Sequence, residues 1–178
     1  MRLFTLILLV LPTSLLANDW AALEQPGAIA IMRHALAPGT GDPANFELGN
    51  CETQRNLDER GRNQARAIGS AFRERGISFD LVLTSQWCRT RETAELLNLG
   101  PVREVPALNS FFGKYERRDA QTRDTLALLR EQEGRVMLVS HQVNISALAG
   151  QATRSGEVLI IWFEGGDIEV LGSILLEP

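Results

Sequence analysis

Two histidines, two cysteines and one tyrosine are all that 178 residues hold of these types, and the scarcity narrows the chemistry. Cys51 and Cys88 stand far apart, as do His34 and His141, so the close Cys or His pairs of a zinc site are missing and no metal or other cofactor is called for. The basic residues form no run of the kind that tracks a nucleic-acid backbone, and the formal charge is −4. Nucleic acid is therefore not an expected partner, and any anion binding must be local. The apolar run Leu3 to Leu11, broken by Thr5, falls well short of the ~20 residues of a membrane-spanning helix. Repeats and low-complexity tracts are also lacking. The length and a 44% hydrophobic content suit one packed domain.

What is present begins with the N-terminus. Arg2 supplies a positive start, the apolar run follows, and Pro12 to Ala17 ends on a small residue. Residues 1–17 read as a signal peptide cleaved after Ala17 rather than as a short anchor or a buried first helix. The mature domain is then 18–178, periplasmic or secreted, with no stable membrane insertion after cleavage. In an exported chain Cys51 and Cys88 read as a disulfide, whereas in the cytosol they would read as free thiols. The leader favours the bridge.

Ala28 to Met32, Phe79 to Thr84 and Val136 to Val139 are short apolar runs that suit strands buried on both faces, and Val102 to Val105 is a shorter fourth. Helices are expected from an Asp58 cap to about Arg75, from Cys88 to Asn98, over Asp119 to Glu131, and briefly through Ala147 and Leu148. Glu157 to Phe163 and Ile168 to Leu176 read as a hairpin turning at Glu164-Gly165-Gly166-Asp167. Ala35 to Asn56 and Asn109 to Arg118 have no period and read as irregular stretches. The order predicts an α/β three-layer sandwich, with a mainly parallel central sheet, helices on both faces and a C-terminal edge hairpin.

Ligands of such sheets gather at the carboxyl ends of the strands. Arg33-His34, Ser85 to Arg89 and Ser140-His141 all fall at such ends, and they include both histidines of the chain. These residues are the candidate site.

The segments that carry them also resemble a known family. IAIMRHALAPG is similar to the Arg-His-Gly signature of the histidine phosphatase superfamily, with Ala35 in place of the glycine. SQWCRTRETAELL resembles its second signature, LVSHQVNISAL its third, and LDERGRNQARAIG its first helix. The resemblance implies an exported phosphatase acting on a small phosphorylated substrate without a metal. His34 would be the nucleophile that forms a phosphohistidine, and Arg33, Arg89 and His141 would bind the phosphoryl group. The family's spacing from Ser85 and from Thr93-Ala94 selects Arg89 rather than Arg91, which is expected to be solvated or paired with Glu95. Small exported relatives suggest a sugar phosphate of the bacterial cell envelope.

Two departures from the family pattern matter. Asn109 stands where many members carry a glutamate that protonates the leaving group, so the substitute acid would be Glu116, Asp42 or Glu47. The same departure supports the alternative of a non-catalytic phospholigand-binding protein. The second departure is the cysteine pair: a Cys51–Cys88 bridge would tie the first long loop to the pocket. Lys114, Arg117 and Arg118 would either meet a second anionic group or stay solvated. The sequence is silent on oligomeric state.

Overall fold

The computed structural model of the chain describes residues 18–176, so the leader expected over 1–17 lies outside the described residues. Six strands form one sheet: β1 (Ile29–Arg33), β2 (Leu81–Thr84), β3 (Val102–Glu104), β4 (Val136–Ser140), β5 (Val158–Glu164) and β6 (Asp167–Ile174), in the order β3-β2-β4-β1-β5-β6. β3, β2, β4 and β1 run parallel, and β5 and β6 add antiparallel at the β1 edge. The expected hairpin turns through Gly165 and Gly166, both at positive φ, between the paired residues Glu164 and Asp167.

Among the described residues four α-helices cover the sheet: α1 (Glu59–Arg73), α2 (Cys88–Leu97), α3 (Arg118–Arg130) and α4 (Gln142–Ala149). Alternating strand residues define the two faces. Ala30, Met32, Val82, Met137 and Val139 pack with Ile68 and Phe72 of α1 and with Ala94 and Leu97 of α2. Ile31, Leu83 and Leu138 pack with Leu129 of α3 and Ile145 of α4. The three-layer α/β sandwich predicted from the order of elements is thus the fold observed. β4 is buried along its whole length, as its unbroken apolar run requires.

Asp58 caps α1 by accepting the Gly61 amide at 2.8 Å. The helix stops at Arg73, two residues before the expected end, because the Phe72 carbonyl accepts from Arg75 and Ile77 and closes the terminus. Among the described residues no helix is long and apolar enough to cross a membrane.

Candidate active site

Strand register assembles the site. Arg33 is the parallel partner of Ser140, so Arg33-His34 and Ser140-His141 leave the sheet side by side, and the His34 amide donates to the Ser140 carbonyl at 3.0 Å. Next to β4, β2 ends at Thr84, and α2 starts only four residues later, which places Arg89 in its first turn. His34, His141 and Arg89 are 2%, 3% and 3% exposed. The imidazoles lie edge to face, with centroids 5.6 Å apart.

Hydrogen bonds fix the protons. His34 Nδ1 lies 2.7 Å from the Ala35 carbonyl, which can only accept, so Nδ1 carries the proton and Nε2 presents a lone pair. That lone pair accepts from Arg89 Nε at 3.2 Å. His141 Nδ1 meets Arg89 Nη2 at 3.4 Å, while its Nε2 lies 2.8 Å from the Ser85 hydroxyl, which can donate or accept. The other edge of Arg89 grips Asp42, Nη1 to Oδ1 at 2.7 Å and Nη2 to Oδ2 at 3.3 Å, and Nη1 also reaches the Arg55 carbonyl at 3.3 Å. Every N–H of this guanidinium therefore has a partner. Arg33 donates through Nη1 to Gln142 and to the Thr153 carbonyl, but its buried Nε has no partner among the described residues.

The electrostatics follow from burial among cations. Burial first, and then Arg89, holds both histidines well below the ordinary imidazole range, so both are neutral at physiological pH. Arg55 is pushed down to about 10 by burial and by Arg89, with Asp42 opposing. For Asp42, burial resists ionisation, but the hydrogen bond and charge of Arg89, with the Trp87 indole and the Arg55 amide, outweigh it and leave the carboxyl below its usual range.

These groups form the floor of a cleft of about 870 Å³, which Phe46, Trp87, Phe111, Phe112 and Tyr115 line with aromatic surface. Of the candidate acids only Asp42 lines it; Glu116 and Glu47 are exposed and lie outside. Asn109 lies outside as well, paired reciprocally with Gln86 through its Oδ1 and Nδ2, both at 2.9 Å. Arg91 is likewise excluded. Its closer carboxylate is Glu104 at 3.3 Å, against 4.0 Å to the expected Glu95, because β3 runs beside α2.

Cys51 and Cys88 are bridged, so the sulfurs are unavailable as zinc ligands. The bridge ties the loop that holds Asp42 to the first turn of α2. Sequence reasoning missed Arg55, whose Nε holds the Gly41 carbonyl at 2.8 Å and whose amide holds Asp42 Oδ1 at 3.1 Å. Only its place just ahead of α1 hinted at it. Gln142, the partner of Arg33, was missed as well, and no spacing signals it.

The profile described as "Histidine phosphatase superfamily (branch 1)" matches residues 29–128. The chain belongs to this superfamily. Among solved structures it is similar to the protein histidine phosphatase SixA complexed with tungstate (18% identity, TM-score 0.57, covering 83% of this chain and 96% of that one). It is also similar to phosphoglycerate mutase from Thermus thermophilus (16%, 0.61, 84% and 99%). Phosphoserine phosphatase from Entamoeba histolytica, bound to 3-phosphoglyceric acid, is a third such structure (13%, 0.60, 84% and 98%). At 13–18% identity these likenesses establish the fold and nothing finer. No curated protein sequence matches the chain significantly.

Proposed function

We propose that the chain is a phosphatase in which His34 Nε2 attacks the phosphorus of a small phosphorylated substrate. The observation that carries this reading is the buried, neutral His34, whose Nε2 lone pair is aimed at the Arg89 edge it shares with His141. A P–N bond forms as the bond to the leaving group breaks, and water then attacks phosphorus to break the P–N bond and release phosphate. Arg89 moves its Nε and Nη2 donors from the imidazole lone pairs to phosphoryl oxygens, while its other edge stays on Asp42. The unpartnered Arg33 Nε takes a third oxygen. In the tautomer that carries its proton on Nδ1 and accepts from the Ser85 hydroxyl at Nε2, His141 adds a further donor to the phosphoryl group.

The acid roles considered for Asp42 and Glu116 find no support in their placement. Asp42 is held ionised against Arg89, so it orients that guanidinium and has no proton to give. Glu116 lies outside the cleft, and the amide of Asn109 has no acidic proton. The reading therefore favours substrates whose leaving group needs little protonation, such as aryl phosphates and phosphoramidates, over alkyl sugar phosphates of the cell envelope. General acid help is typically worth ~10²–10⁴-fold, so the preference is large. Residues 1–17 and the Cys51–Cys88 bridge support placement in an oxidising, exported compartment.

A leaving-group series on the purified mature protein tests the reading, with His34→Ala expected to abolish turnover at an unchanged thermal transition. The missing acid also keeps the phospholigand-binding alternative in play. Phosphate binding without turnover across the whole series would establish it.

A further inference from the structure

Helix α1 buries an amide on a face that is otherwise mostly apolar. Gln64 shares that face with Ala65, Ile68 and Phe72 and is 4% exposed. A buried amide is tolerated only where its donor and acceptor are both met. Neither partner lies in its own helix: Oε1 accepts from the Leu36 amide at 2.9 Å, and Nε2 donates to the Ser155 carbonyl at 2.9 Å. One partner can only donate and the other only accept, so the amide has a single orientation. The Leu36 N–H belongs to the same trans peptide unit as the Ala35 carbonyl, which receives the Nδ1 proton of His34 at 2.7 Å. Gln64 thus fixes one end of a peptide whose other end holds the imidazole. A hydrogen bond at the N–H also polarises the carbonyl and makes it a better acceptor. Burial and the charges of Arg89, Arg55 and Arg33 all depress the basicity of His34, and the Ala35 bond opposes them. At its far end Gln64 reaches the segment that holds Arg33. There the Gly156 amide donates to the carbonyls of Arg33 and His34, both at 3.2 Å, and the Thr153 carbonyl accepts from Arg33 Nη1. The fit is close, since an added Cβ at Gly156 would fall 2.6 Å from Gln64 Nε2.

Building on the phosphatase reading above, we infer that Gln64 is a positioning residue for His34, holding the Ala35–Leu36 peptide so that Nδ1 keeps its proton and Nε2 faces the phosphoryl pocket. It touches no substrate. When Nε2 bonds phosphorus the ring gains positive charge, and the Nδ1–H bond to Ala35 becomes charge-assisted, so the hold is worth more in the transition state than in the free enzyme. Its loss therefore falls on the rate of His34 phosphorylation rather than on phosphate affinity, by about tenfold, the size of one hydrogen bond to a charged group.

Only two histidines occur in the whole chain, so the imidazole spectrum is simple to assign. Nitrogen NMR on protein labelled at histidine is expected to show a protonated, slowly exchanging His34 Nδ1 in the wild type. Gln64→Met fills the space without the two polar atoms. It should speed that exchange, shift both ring nitrogens and slow single-turnover phosphorylation by an aryl phosphate about tenfold, while calorimetry finds inorganic phosphate binding within about twofold. Gln64→Glu, which keeps the oxygen opposite Leu36, should recover most of the rate. Gln121→Met removes an amide of α3 that is 5% exposed and bonded to the Pro106 and Ala107 carbonyls. It should lower stability but change neither the His34 signals nor the rate. Should Gln64→Met not fold, Gln64→Asn, one methylene too short to span both partners, gives the same comparison. Unchanged His34 signals in a folded Gln64 variant, equal losses in Gln121→Met, or a fall in phosphate affinity matching the fall in rate would overturn the positioning role. The spectrum requires no turnover, so His34 signals that respond to Gln64 in a chain that is never phosphorylated would overturn the phosphatase reading alone.

Discussion

Arg89 spends its guanidinium in two directions, one edge on Asp42 and the Arg55 carbonyl, the other on the lone pairs of His34 and His141. Asn at position 42 keeps one acceptor but loses the charge and the second oxygen. Asp42→Asn is therefore expected to lower kcat/KM about tenfold or more for every substrate, with an unchanged dependence on leaving-group basicity. A loss concentrated on alkyl phosphates would instead make Asp42 the acid. The histidines supply a pH prediction. Burial, and then Arg89, keeps both neutral in the folded chain, while in the unfolded chain they protonate near ~6.5. Below that pH the unfolded chain binds more protons, so their contribution to stability is complete above ~6.5 and is lost as pH falls, and the depressed Asp42 acts in the same sense. Denaturation midpoints should fall on acidification through this window, and a midpoint that rises would contradict the assignment.

At the scale of elements, the loop 35–56 is held against the site from two sides. The Cys51–Cys88 bridge encloses a separation of 37 residues, and removing it is expected to cost roughly 3–4 kcal/mol in denaturant melts on the chain-entropy model. Gly61 in α1 lies against the loop's start, where an added Cβ would fall 1.9 Å from the Leu36 carbonyl, two residues beyond His34. Gly61→Ala should destabilise the fold by about 1–3 kcal/mol and lower turnover by shifting the His34 backbone, read by melts and rates together. The strand ends that bear the site were legible because short apolar runs stopped abruptly at Arg33-His34 and at His141. Arg55 and Phe46 were not, since they reach the cleft only when their loop folds back, and no local period records that. Asn109 was legible as a departure from the family pattern, but its pairing with Gln86 depends on two strand ends meeting.

For the whole molecule, the distribution of charge carries the functional argument. A chain of formal charge −4 without any basic run still gathers six cations in one cleft, from residues 33 to 118. The fold was readable from the alternation of elements, whereas the cationic cleft exists only after the sheet has brought its strand ends together. Everything proposed for that cleft turns on His34 as the atom that receives phosphorus. The most direct test mixes the mature protein with a labelled aryl phosphate and quenches it under alkaline conditions that preserve P–N bonds, followed by peptide mapping. The account predicts label on His34 and none in His34→Ala. Turnover with no label on any histidine, or with label on another residue, would contradict it.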